Sequence, residues 1–126
     1  MATHASATYE IIIGNALNTV IESSVFAAKA RRLLSEAELT GLTLFVAGNP
    51  TAGDLIPGTG GARKLRWALQ GRGKSGGARV IYFFHNESLP LVLLTIYAKN
   101  ERANISAADA IAFRKFAEIY VKSYGR

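Results

Sequence analysis

The sequence predicts an α+β domain with the element order strand, helix, helix, three strands, helix. Two serine-led capping boxes open amphipathic stretches, which indicates helices in both halves of the chain. Apolar runs of strand length follow one another in the second half, separated by turn residues. A length of 126 residues with 49% hydrophobic residues suits a single domain that buries a modest core.

The first half supplies one strand and two helices. We interpret residues 1–16 as an N-terminal extension of uncertain order, in which residues 9–13 can add an edge strand, and residues 17–126 as the domain. Residues 17–23 are rich in β-branched side chains and predict the first strand. From Ser24, the residues Phe26, Ala30 and Leu33 follow helical spacing. Ser35 and Glu38 form a capping box that starts a second helix, which residues 48–50 (Gly-Asn-Pro) should end.

The second half predicts a meander of three antiparallel strands and a final helix. Residues 51–61 are a connector too rich in glycine for regular structure. Residues 63–69, 78–85 and 91–98 predict the strands, and the middle one is apolar on both faces, as a central strand would be. Ser106 and Asp109 form the capping box of the last helix.

Positive charge is concentrated at the first meander turn. The chain carries a formal net charge of +6, and six of its fifteen cations lie between residues 60 and 82, where no carboxylate interrupts residues 55–86. These cations are Arg63, Lys64, Arg66, Arg72, Lys74 and Arg79. Strand alternation predicts Lys64 and Arg66 on one face, with Leu65, Trp67 and Leu69 on the other. This pattern favours a polyanionic ligand, and the alternative is a solvated basic hairpin.

The composition argues against several other classes. There is no cysteine, which excludes disulfides, thiolate metal sites and a cysteine nucleophile. Only His4 and His85 carry imidazoles, too few for a histidine-pair ribonuclease or a multi-histidine metal site, so we expect no metal and no cofactor. No apolar run reaches the roughly 18 to 20 residues of a membrane span, and the N-terminus lacks a secretory pattern, so we expect a cytoplasmic protein.

Several blocks of sequence, in this order and spacing, resemble a known toxin family. They are residues 53–61 (GDLIPGTGG), 63–67 (RKLRW), 71–82 (GRGKSGGARVIY) and 97–101 (YAKNE). The blocks are similar to the HigB-type branch of the RelE/ParE toxins of bacterial type II toxin-antitoxin systems, over roughly residues 17–122. The resemblance implies a RelE-like fold, with a helical hairpin and a C-terminal helix packed on an antiparallel sheet. It also implies an mRNA interferase that acts in the ribosomal decoding site and pairs with a small helix-turn-helix, HigA-like antitoxin.

The resemblance also assigns roles to the basic residues. It implies that Lys64, Arg66 and Arg79 face the scissile phosphate, with Arg79 as a planar two-donor clamp. The 2′-hydroxyl would attack the adjacent phosphorus without a metal ion. Crowded like charges lower the pKa of a lysine, so Lys64 can act as a proton carrier. Lys99 and Arg102 resemble a third basic element that protonates or stabilises the leaving oxygen. The remaining cations, Arg63, Arg72, Lys74 and Arg102, are predicted to bind RNA phosphates.

One feature departs from the family pattern. RelE carries a tyrosine near the start of its C-terminal helix that is proposed as the base, and residues 103–106 (Ala-Asn-Ile-Ser) contain none. Glu101 is a substitute base, or alternatively an ion-pair partner of its basic neighbours. We expect Tyr82, Tyr97 and Trp67 to serve the core, although Trp67 is also able to stack on a base. We expect His85 to be structural.

Two other functions remain open from the sequence. The ParE branch shares the fold and inhibits DNA gyrase by binding, although the presence of Lys64, Arg66, Arg79 and Lys99 argues for cleavage. A catalytically silent nucleic-acid-binding domain is the third interpretation, which the missing tyrosine leaves open. Asp54 is predicted to cap a turn or to pair with a basic residue of the sheet.

Overall fold

The computed structural model describes residues 5–13, 16–69, 77–101 and 104–124. One mixed sheet has the strand order β1-β2-β6-β5-β4-β3, and three helices pack on it. The elements are β1 (Ala5–Ile13), β2 (Ala16–Ser23), α1 (Ser24–Leu33), α2 (Glu36–Gly48), β3 (Asp54–Leu55), β4 (Ala62–Trp67), β5 (Ala78–Phe83), β6 (Leu91–Ala98) and α3 (Ala107–Tyr124).

The helices α2 and α3 start where the capping boxes predicted them, and α1 starts at the predicted Ser24. The Ser23 hydroxyl accepts from the Phe26 amide and donates to the Leu94 carbonyl, so the cap of α1 also ties this helix to β6. Ser35 and Glu38 exchange both hydrogen bonds of a capping box at α2. Ser106 and Asp109 do the same before α3.

The sheet differs from the predicted one in three ways. It is not purely antiparallel, because β2 pairs in parallel with β6 through Val20 to Glu22. A long edge strand, β1, pairs antiparallel with β2 and extends beyond the predicted residues 9–13. The connector 51–61 contains the two-residue strand β3, which pairs with Lys64 and Arg63 on β4. The helical crossover after β2 makes the parallel pairing sterically accessible, and residue periodicity does not encode strand direction.

The core is divided into two layers by the sheet. On one face, α1 and α2 pack with Val20, Val80 and Tyr82. On the other face, α3 packs through Ala117 and Tyr120 against a second cluster that includes Ile81, Phe83 and Tyr97. The central strand β5 contributes to both clusters, as its apolar composition predicted.

The loop between β3 and β4 requires glycine. Gly58, Gly60 and Gly61 have φ angles of 79°, 75° and 124°, a region that other residues rarely adopt. This turn brings β3 back beside β4 and presents Ile56 and Pro57 next to Lys64, where they line a groove together. The strand β4 itself ends at Trp67 rather than at the predicted residue 69, and β5 ends at Phe83 rather than at residue 85.

Candidate nucleic-acid interface

A row of side chains crosses three neighbouring strands on the face that α3 covers in part. Arg66 on β4 is the register partner of Arg79 on β5, which is in turn the partner of Tyr97 on β6. Alternation places all three on one face, because Ala62, Ile81 and Tyr97 belong to the cluster beneath α3. Neighbouring strands lie about 4.8 Å apart, so two arginines face the same side at close range.

Lys64 extends this row along β4, and we call Lys64, Arg66 and Arg79 the cation row. It lies two residues before Arg66 on the same face, about 7 Å away along the strand. Its Nζ donates to Oδ1 of Asn104 at 3.4 Å, and both residues line a groove of about 310 Å³ between the end of β3 and the start of α3. Asp54 is the register partner of Lys64 on β3, which is a backbone pairing and not the side-chain pairing that the sequence predicted. No ion pair within 4.0 Å joins these two among the described residues.

The three cations lack anionic partners within the described part of the chain. No salt bridge to Lys64, Arg66 or Arg79 is formed there, whereas Arg31 lies 3.9 Å from the carboxylate of Glu22 elsewhere. The Nε of Arg79 is buried and has no hydrogen-bond acceptor among these residues. A buried donor without an acceptor costs free energy unless a ligand supplies one, so an anion at this site would satisfy it.

Lys99 and Glu101 lie just beyond the end of β6, at the edge of the sheet where β5 begins one residue before Arg79. The Lys99 amide donates to the Gly77 carbonyl, which places Lys99 next to the residue before β5. The Glu101 carboxylate accepts from the amide of Ala98 at 3.3 Å, so it folds back on its own turn. Both side chains are exposed. They are therefore near the cation row and accessible to solvent.

The remaining predicted phosphate-binding residues do not join this cluster. Arg63 lies on the opposite face of β4, where its guanidinium donates to the carbonyls of Thr51 and Gly53 at 3.2 and 2.8 Å. Its position indicates a role in holding the loop that precedes β3. Arg72, Lys74 and Arg102 lie outside the described residues.

The aromatic residues are placed as the sequence predicted. Tyr82 is fully buried, and its hydroxyl accepts from the Gly53 amide and donates to the Pro50 carbonyl. Burial raises the pKa of Tyr82, and the Gly53 hydrogen bond opposes that shift. Tyr97 is fully buried as well, in the cluster beneath α3. Trp67 packs on the α1 and α2 side, with its ring 5.6 Å from that of Phe45.

His85 lies at the other end of the sheet from the cation row. It lies six positions after Arg79 and two beyond the end of β5, which corresponds to about 20 Å of extended chain. Its ring stacks on Phe83 at 6.3 Å, which fits the expected structural role. It lines a shallow groove with Arg114 and Glu118 of α3.

The described residues contain neither a metal-binding cluster of side chains nor a membrane-spanning helix. No group of three or more His, Cys, Asp or Glu side chains there is arranged to hold a metal ion. No helix in that part of the chain is both long enough and apolar enough to span a membrane.

Sequence reasoning missed Asn104. The sequence gives little indication of a role for Asn104, because a single asparagine before a capping box is typical of a loop. Its contact with Lys64 depends on α3 starting beside β4, which only the tertiary structure reveals.

The fold is that of an α+β protein, and Lys64, Arg66 and Arg79 give the strand meander a positively charged face. The model of the family described as the RelE toxin of the RelE / RelB toxin-antitoxin system matches residues 19–125. The chain therefore belongs to the RelE toxin family, whose members pair with an antitoxin.

Proposed function

We propose that this chain is a HigB-type toxin that cleaves mRNA in the ribosome and thereby inhibits translation. The observation that carries the proposal is the row of Arg66 and Arg79 with Lys64 beside it, on one face and without an ion pair to any of them among the described residues. Family membership supports it, since RelE toxins are generally endoribonucleases.

The chemistry follows from what RNA cleavage requires. The 2′-oxygen attacks the adjacent phosphorus, a proton leaves that oxygen, negative charge builds on the phosphoryl oxygens, and the 5′-oxygen departs with a proton. Arg79 presents a fixed fork of donors, including the buried Nε, to those phosphoryl oxygens. Arg66 adds a second positive charge from the next strand. These two guanidiniums stabilise the pentacoordinate anion, so the proposed reaction needs no metal ion.

Two groups are candidates for the proton transfers at the 2′-oxygen. Lys64 borders the row directly, and Glu101 lies near its end with a carboxylate exposed to solvent. Tyr82 is unsuitable, because both hydrogen-bonding capacities of its hydroxyl are used within the fold. Lys99, beyond the end of β6, would protonate or stabilise the leaving 5′-oxygen. The flanking RNA phosphates would be bound by Arg72, Lys74 and Arg102.

The partners and the compartment follow from the same proposal. The antitoxin would be a HigA-like helix-turn-helix protein, and the toxin would act in the cytoplasm, where ribosomes translate the message. A neighbouring reading frame that encodes a helix-turn-helix protein would support this pairing.

Primer extension on an mRNA in a reconstituted translation reaction tests the proposal. Wild-type protein should cut translated message within codons, and only when ribosomes are present. Arg79→Ala should lower the cleavage rate about 10²- to 10³-fold, the usual effect of removing one oxyanion-stabilising group. Arg79→Lys should recover only part of that rate, because lysine keeps the charge but not the planar fork.

The matched control is Lys115→Gln, which removes one positive charge from an exposed position on α3. It should cleave like wild type. Uncut message with intact translation would refute the cleavage function, and a gyrase supercoiling assay would then test the ParE-like alternative. Equal losses in Lys115→Gln and Arg79→Ala would show that net charge alone, and not the cation row, carries the activity.

A further inference from the structure

The groove beside Lys64 is built from apolar walls and one polar end. Its walls are Ile56, Pro57, Ile105, Ala107 and Ala110, and its polar groups are Lys64, Asn104 and Ser106. The Ser106 hydroxyl accepts from the Asp109 amide in the capping box. Lys64, Asn104 and the hydroxyl hydrogen of Ser106 therefore remain as the polar groups available to a ligand.

The size and the walls of the groove fit one planar ring system. A volume of about 310 Å³ lies at the lower limit of small-molecule sites, which run from roughly 300 to 1,000 Å³. The apolar side chains of Pro57, Ile56 and Ile105 can contact the face of a base, as apolar side chains do in base-binding pockets. The groove is open on one side, so a base carried by a continuous RNA strand can enter it.

Asn104 provides hydrogen-bonding capacity at the mouth of this groove. Its Oδ1 accepts from Lys64, and its Nδ2 group has no acceptor among the described residues. Nδ2 carries two donor hydrogens, which match a ring nitrogen or a carbonyl oxygen on the edge of a base. Asn104 is exposed, so a ligand can reach it directly.

The location links the groove to the cation row. Lys64 belongs to both, and Arg66 lies two residues further along β4 on the same face. About 7 Å along β4 separates Arg66 from Lys64, which lines the groove. A nucleotide whose phosphate contacts Arg66 and Arg79 can therefore place its own base or the neighbouring one in the groove.

We propose that this groove binds the base next to the scissile phosphate and that Asn104 determines which base is preferred there. This inference rests on the proposed cleavage function and adds a source of sequence preference to it. The competing explanation is that Asn104 only positions the Lys64 ammonium, in which case every RNA sequence would be affected equally.

The test measures cleavage of an mRNA set in which each codon position near the cut site carries all four bases. At one fixed position, wild type should prefer guanine, whose O6 and N7 are both acceptors, over cytosine, which presents its N4 amine on the same edge, by about 5- to 10-fold, the value of one good hydrogen bond. Asn104→Leu should lose that preference. Asn104→Asp, which replaces the donors by acceptors, should shift it toward bases that present an exocyclic amine.

Asn86→Asp is the matched control. The same chemical change is made at an exposed loop asparagine whose Oδ1 accepts from the Ser88 amide, an interaction that aspartate retains. It should leave the preference unchanged. A uniform fall in rate for Asn104→Leu, with the wild-type preference intact, would overturn the inference while leaving the cleavage function in place.

If wild type does not cleave RNA, a binding measurement tests base binding in the groove separately from the cleavage function. Titration of the four nucleoside 3′,5′-bisphosphates into labelled protein, followed by NMR, should shift the Asn104 side-chain amide and Ile105 in a base-dependent manner. Such shifts in a protein without cleavage activity would support the groove and reject only the reaction. No base-dependent shift in wild type would overturn the groove.

Discussion

The pairing of Arg66 with Arg79 predicts a gain in stability when one charge is removed. Like charges directly opposite each other on antiparallel strands are destabilising. Because Arg66 is exposed, a dielectric constant near that of water applies, and two unit charges at about 6 Å then repel by roughly 0.7 kcal/mol. Replacing Arg66 by glutamine should therefore raise the free energy of unfolding by about that amount.

The change should be visible in thermal and urea denaturation. For a chain of 126 residues, about 0.7 kcal/mol corresponds to an increase in Tm of roughly 3 °C. The measurement is made at low ionic strength, where screening is weakest, and repeated at about 0.5 M salt, where the Debye length falls to a few ångströms. The stability gain of Arg66→Gln should largely disappear in the high-salt series.

Two variants test whether repulsion between Arg66 and Arg79 causes the gain in stability. Arg66→Lys keeps the charge and should leave Tm close to wild type, whereas Lys115→Gln removes a distant charge and measures the general effect of lowering the net charge of +6. Inorganic phosphate should also raise the Tm of wild type more than that of Arg66→Gln, because it bridges the two guanidiniums. A lower Tm for Arg66→Gln at low salt, or a gain equal to that of Lys115→Gln, would refute the repulsion between the strands.

Three further predictions concern stability. Burial raises the pKa of Tyr120 to about 12 from 10.0. The stabilisation that Tyr120 gives to the folded state is therefore complete below pH 10 and is lost between pH 10 and 12. Wild type should then lose about 2 kcal/mol more than Tyr120→Phe by pH 11.5 in urea titrations, whereas Val121→Ala should keep the wild-type pH slope. Gly53→Ala should cost at least 1 to 3 kcal/mol, since a Cβ would lie 2.9 Å from the Lys64 carbonyl; a Tm equal to wild type would contradict this contact. Arg63→Gln should lower Tm through loss of its loop contacts and leave the salt dependence of RNA binding unchanged, as a nitrocellulose-filter titration would show.

The local features of the fold were predictable from the sequence because they depend on neighbouring residues. The capping boxes at Ser35 and Ser106 were sufficient to locate α2 and α3. The alternation on β4 also placed Lys64 and Arg66 opposite Leu65 and Trp67, which pack on the other face. Each of these predictions rests on contacts between residues a few positions apart.

The parts that were missed depend on distant contacts. The parallel pairing of β2 with β6 joins segments about seventy residues apart, and no periodicity records that direction. Arg63 lies on the opposite face of β4 from Lys64 and Arg66, as alternation implies, and its binding of RNA phosphate remains a prediction. The Asn104 contact required α3 to start next to Lys64. The catalytic roles of Lys99 and Glu101 remain predictions.

The parallel pairing of β2 with β6 also has a consequence for the order of folding. The Ser23 hydroxyl meets the Leu94 carbonyl across a sequence separation of 71 residues, whereas β4, β5 and β6 pair with their chain neighbours. Loop closure over a long separation costs more entropy and slows folding, so we expect the meander to form before β2 docks. Arg66 and Arg79 lie within that early unit, while the groove at Asn104 also needs α3. The charged row would then be able to attract RNA nonspecifically before the element that gives base preference is in place.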